Sequence, residues 1–135
     1  MAAVADHYQS IITLNTAVVA ISSDTVLTHK IFCDISPSAR KVQYPLIADQ
    51  NNTIAAAFGI MTNQGKSQRA TFIIDPEGLI RHATVYPNEV GRDVPELLRI
   101  LQGLQYTDLT GFLLPAGWQP GQTGIKPALD KAGQY

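Results

Sequence analysis

The chain has 135 residues, 45% hydrophobic and 16% charged, with a formal net charge of -1. That balance excludes a disordered polyelectrolyte and gives no electrostatic reason to expect nucleic acid or an anionic membrane as partner. Cys33 is the only cysteine, which excludes an internal disulfide and a thiolate-rich metal site; a reducing, cytoplasmic setting is expected.

The opening MAAVADHYQSIITLN places Val4, Tyr8, Ile11 and Ile12 at helical spacing, with Asn15 as a carboxyl-terminal cap. It carries no basic-then-apolar leader pattern, and no apolar run approaches the roughly 20 residues that span a bilayer. TAVVAIS, residues 16–22, is a short β-rich apolar run suited to a strand buried on both faces. Ser23 or Asp24 can cap a second helix reaching Cys33, and Pro37 then breaks it. Pro45-Leu46-Ile47-Ala48-Asp49 has the length of a strand or a turn. NNTIAAAFG predicts a helix ending at Gly59, whose missing side chain tolerates a left-handed cap.

RATFIIDPEGLIRHATVY is the clearest signal. Residues 69–75 and 79–86 are β-rich arms joined by Pro76-Glu77-Gly78, a tight hairpin connection. The second arm alternates, with Ile80, His82, Thr84 and Tyr86 on one side and Leu79, Arg81, Ala83 and Val85 on the other. VPELLRILQGLQY then repeats Val94, Leu97, Leu98, Leu101 and Leu104 along one helical face. Everything after Tyr106 reads as loop, so the expected organisation is a core over 1–106 and an extended tail over 107–135. Helix, strand, helix, strand, helix, hairpin, helix is the order of a three-layer α/β domain.

In order along the chain, VADHYQSIITLNTAVVAISSDTVLTHKIF, YPLIAD, RATFIIDPEGLIRH, VGRDVPELLRILQGLQY and PAGWQPG resemble the peroxiredoxins of the alkyl hydroperoxide reductase C / thiol-specific antioxidant family. Each motif alone is weak, and their shared order makes the likeness specific from about Val4 to about Lys126. The resemblance implies a thioredoxin-like fold without its amino-terminal hairpin and central strand. That strand would lie between the strands matching TAVVAIS and RATFIID. Its absence leaves unpaired backbone groups costing about 1–3 kcal/mol each.

The resemblance also implies a chemistry. Family members reduce peroxides with a low-pKa cysteine in a Pro-x-x-x-Thr-x-x-Cys motif, which would fall a few residues before Met1. A second, resolving cysteine stands directly before Pro-Ala-x-Trp, the position held here by Leu114. Arg69 matches the arginine that steadies the thiolate and orients the peroxide. The outer strand over 82–86, the tail over 111–121 with Trp118, and the gap of the missing strand become the expected contacts with a protein partner or further copies.

Cys33, the one thiol within the chain, lies near a helix end, where a reactive thiolate is not favoured, although His29 one turn earlier could lower its pKa. It reads as packing. Asp6-His7 reads as a solvated helix face. His7, His29 and His82 share no ligand spacing, so no metal is expected, nor any cofactor. Three functions compete. The first is a peroxiredoxin-derived structural or interaction subunit without peroxidase chemistry of its own, which the paired absence of both cysteines favours. The second is a thiol peroxidase whose catalytic segment lies outside this sequence, and the third is a redox centre at Cys33.

Overall fold

The computed structural model describes residues 1–128. The chain divides into two compact units, Met1–Val94 and a second beginning at Pro95.

In the first unit, the single amino-terminal helix expected from periodicity is two short ones, α1 (Ala2–Asp6) and α2 (Tyr8–Thr13), because the chain departs from helical dihedrals at His7. Asn15, in the left-handed region at φ 51°, stops α2. Strand β1 is only Ala20–Ser22. Helix α3 (Val26–Ile35) is capped by neither Ser23 nor Asp24. Thr25 Oγ1 accepts from the Thr28 N–H at 3.0 Å, and the helix runs past Cys33 before Pro37 ends it. A 3₁₀ turn, Ala39–Lys41, precedes β2 (Leu46–Ala48).

Helix α4 (Thr53–Ala57) begins where buried Asp49 accepts from the N–H groups of Ile54 at 3.1 Å and Ala55 at 2.9 Å. Gly59, at φ +68°, closes it as the sequence implies. The hairpin is β3 (Arg69–Ile74) and β4 (Ile80–Tyr86), turned through Gly78 at φ +85°. A register shift pairs Ile73 with His82 but Ile74 with Ile80, leaving Arg81 as an extra residue. That bulge breaks the expected alternation. His82, Thr84 and Tyr86 are half-buried on one side, while Ile80 is exposed.

Pairing stays in separate sheets. β1 and β2 are parallel, β3 and β4 antiparallel, and no strand joins the two pairs among the described residues. The resemblance implied a fold without the strand that would lie between β1 and β3, and here each of the two has a single neighbour.

Helix α5 spans Val94–Thr110, one turn beyond the expected end at Tyr106. Thr107 and Thr110 donate back to the carbonyls of Leu104 and Tyr106, so hydroxyls hold the last turn until Gly111, at φ +69°, stops it. In the second unit the segment after α5 folds back on that helix. Leu113 and Ile125 form an antiparallel bridge, and Trp118, 2% exposed, packs against Tyr106 at 5.5 Å between ring centroids. The Trp118 indole N–H donates to the Gln122 carbonyl at 2.9 Å. Leu114 lies over Gly103, where a Cβ would come within 2.8 Å of its Cδ1.

Candidate functional site: an arginine pair beside β3

Alternate residues of a strand project from the same face. Arg69 and Thr71 therefore share a face of β3, and cross-strand pairing places Tyr86 opposite Arg69 and Thr84 opposite Thr71 on that face. The loop after β4 returns a second cation there. Arg92 Nε donates to Thr71 Oγ1 at 2.9 Å, and Arg92 Nη2 donates to the Ala70 carbonyl at 3.0 Å. Arg69 Nη2 donates to the Asn88 carbonyl of the same loop at 3.0 Å. Both guanidinium groups are thus held by neutral acceptors. Neither makes a salt bridge among the described residues.

Burial, and then the charge of Arg69, lower the Arg92 pKa from its ordinary value, while Tyr44 and Tyr86 act in the opposite direction. Tyr44 is 5% exposed, packs against Tyr8, and donates its hydroxyl to the Met1 carbonyl at 3.1 Å. Burial raises its pKa, against a lowering by Arg92 and with a further rise from Cys33. The Met1 ammonium is lowered by burial and then by Arg92 and Arg69. The start of α1, Tyr44, Arg69 and Arg92 therefore occupy one electrostatic neighbourhood with an excess of positive charge.

Of the residues singled out in the sequence, Arg69 lies in this cluster, and Cys33 is half-buried on α3 near enough for its charge to act on Tyr44. His29 does not serve Cys33. Its Nε2 meets Ser22 Oγ at 2.7 Å and lies 3.9 Å from Asp24, and its Nδ1 is buried without a hydrogen-bond partner among the described residues. His82 is bonded to Thr84 on the hairpin, and His7 is bonded to the Ala3 carbonyl. Among the described residues no three His, Cys, Asp or Glu side chains gather to hold a metal ion, and no helix is long and apolar enough to cross a membrane.

Arg92 and Tyr44 were not legible as site residues. The available signal was a lone arginine in the Gly91-Arg92-Asp93 loop before α5 and a tyrosine directly before Pro45.

The family model of the AhpC/TSA family matches residues 1–83, and that of the C-terminal domain of 1-Cys peroxiredoxin matches 103–135. Alkyl hydroperoxide reductase C of Pseudomonas aeruginosa is 36% identical over 132 residues, 96% of this chain and 71% of that protein. The chloroplastic 2-Cys peroxiredoxin of Spinacia oleracea is 39% identical over 129 residues, 93% of this chain but 49% of that protein. Among solved structures, reduced 2-Cys peroxiredoxin of Plasmodium vivax superposes with a TM-score of 0.88 at 26% identity, covering 96% of this chain and 68% of that one. A cysteine-to-serine mutant of peroxiredoxin 6 of Arenicola marina superposes with a TM-score of 0.83 at 28% identity, covering 98% and 67%. The fold is the thioredoxin-like fold of these proteins, present in part.

Proposed function

Because the chain belongs to the AhpC/TSA family, we propose that residues 1–135 carry the arginine and tyrosine side of a thiol-dependent peroxide-reducing site whose sulfur comes from a polypeptide segment outside these residues. On their own, residues 1–135 are then a non-catalytic scaffold. The observation that carries this reading is the placement of Arg69 and Arg92 on one face of β3, fixed by neutral acceptors and without an acidic partner among the described residues.

That placement suits the chemistry. A thiolate attacks one peroxide oxygen, the O–O bond breaks, sulfur becomes a sulfenic acid, and the other oxygen leaves with the electron pair and takes up a proton. Guanidinium groups favour the thiolate over the thiol, and their N–H donors meet the charge that develops on the departing oxygen. Leu114 stands where two-cysteine relatives carry their resolving sulfur. The sulfenic acid then condenses with one external thiol, releasing water and forming a mixed disulfide, and a second external thiol displaces the protein sulfur as a thiol and leaves with the first as a disulfide, in a cytoplasmic setting that keeps the site reduced.

Hydrogen peroxide consumption with dithiothreitol tests the proposal. Residues 1–135 alone should match buffer. The polypeptide extended amino-terminally by a Pro-x-x-x-Thr-x-x-Cys segment should turn peroxide over, and Arg92→Met in that extended protein should reduce the rate by about 10²–10³. Turnover by residues 1–135 alone that Cys33→Ser abolishes would overturn it.

A second reading is favoured by the single-sided pairing of β1 and β3. It is a purely structural subunit that meets a protein partner or further copies through the 82–86 edge, the 111–121 tail and the open strand edges. An extended polypeptide that binds such partners but leaves peroxide untouched would select it.

A further inference from the structure

We propose that Tyr86 is a specificity-determining residue of the peroxide site: its ring walls the β4 side of the space beside Arg69 and restricts that space to hydrogen peroxide and other peroxides with a small organic group. The inference rests on the peroxide-reducing reading above and concerns which peroxide that site takes.

Three observations put the ring at this point. Tyr86 pairs directly with Arg69 across the hairpin, and directly opposed residues carry their side chains on one face with Cβ atoms about 4.5–5.5 Å apart. On β4, His82, Thr84 and Tyr86 are half-buried while Ala83 and Val85 between them are exposed, so the phenol lies on the covered face. Arg92 reaches that same face by its bond to Thr71, the register partner of Thr84. Burial and then Arg69 lower the Arg92 pKa, and Tyr86 is close enough to act against them. The phenol and both guanidinium groups are therefore neighbours, brought together from the end of β4, the start of β3 and the loop after β4.

Size selection follows from that arrangement. A peroxide R–O–OH has to bring its O–O bond to the guanidinium N–H donors. Its R group then needs room beside Arg69. The loop after β4 closes one side, with the Asn88 carbonyl 3.0 Å from Arg69 Nη2. An aromatic ring at cross-strand distance fills another. In hydrogen peroxide R is hydrogen and the wall is not felt. In cumene hydroperoxide R is a branched aromatic group that meets the ring. The contact is with the ring and not with the phenol hydroxyl, so phenylalanine should serve as well as tyrosine.

Initial rates of the amino-terminally extended polypeptide with hydrogen peroxide and with cumene hydroperoxide, each with dithiothreitol, test this. The native protein should favour hydrogen peroxide in kcat/KM. Tyr86→Ala should raise the ratio of cumene hydroperoxide to hydrogen peroxide kcat/KM by about tenfold or more. Tyr86→Phe should keep the native ratio, and so should Val85→Ala on the opposite face. Simple loss of strand stability lowers both rates together and leaves the ratio where it was. If Tyr86→Ala fails to fold, Tyr86→Val, which keeps β propensity, decides in its place.

A ratio that neither small side chain moves, while both peroxides turn over, would overturn the inference and leave the peroxide-reducing reading intact. A native preference for cumene hydroperoxide, or a Tyr86→Phe ratio matching that of Tyr86→Ala, would overturn it equally. Absence of turnover with either peroxide in the native extended polypeptide would sink both.

Discussion

At the residue scale, two side chains carry consequences that can be measured apart from any activity. The Tyr44 phenol is buried and its pKa is raised above 10.0. The folded state then keeps its proton at a pH where the unfolded chain loses it. The stabilisation is complete below the unfolded value and is lost as pH rises through the higher folded one. Urea midpoints measured from pH 8 to pH 11 should therefore fall at the alkaline end, and Tyr44→Phe should flatten that fall; an unchanged slope would contradict the burial argument. Gly103 gives the second case. An alanine in a helix interior is worth about 0.5–1 kcal/mol over glycine, but its Cβ would meet Leu114 Cδ1 at 2.8 Å. Gly103→Ala should therefore stabilise more in a Leu114→Ala background than in the native one, by up to about 1 kcal/mol in a double-mutant cycle. Additive effects would mean that Leu114 does not rest on Gly103.

At the element scale, α4 shows how a short helix survives. A helix of 5 residues is far below the length that is stable alone, and its free N–H groups need acceptors. Asp49, 7% exposed, accepts from two of them. Asp49→Ala should cost about 1–2 kcal/mol by urea unfolding, and Asp49→Asn, which retains one acceptor oxygen, should cost less. Equal losses would point to packing instead of capping. The hairpin, like the presence of α4, was legible in outline, because Pro76, Gly78 and two β-rich arms are all local signals. Its bulge at Arg81 was not, since register depends on what the two faces meet in space. The last turn of α5 was missed for a related reason. Thr107 and Thr110 are weak helix formers, and only their back-bonding to Leu104 and Tyr106 shows why they continue the helix. Arg69 was singled out through a family likeness, whereas Arg92 joins the proposed site through bonds across 21 and 22 residues of sequence, which no local pattern encodes.

At the scale of the whole molecule, strand pairing decides the behaviour. A two-stranded sheet is marginal in water, and the first unit holds two of them. On β1 and β2, the register partners Ile21 and Ile47 are 43% and 38% exposed, and Val19, just before β1, is 50% exposed. Apolar residues at this density on a strand pair ask for cover, and β1 and β3 each lack a second neighbour among the described residues. A segment that paired with both would satisfy several backbone N–H and C=O groups at about 0.5–1.5 kcal/mol each. It would also remove apolar area from water at about 25 cal/mol per Å². Even after the ordering entropy of the added strand, a net gain of about 2 kcal/mol is expected, worth roughly 6 °C in a protein of this size. Residues 1–135 alone should therefore bind a hydrophobic dye and show weak amide protection at Ala20, Ile21 and Ser22. Extension by an amino-terminal segment of the kind the proposed function invokes should abolish the dye signal, protect those amides and raise the thermal midpoint by that amount. If midpoint and protection are the same with and without the extension, the single-sided pairing of β1 and β3 is a stable end state, and the case for an added strand fails.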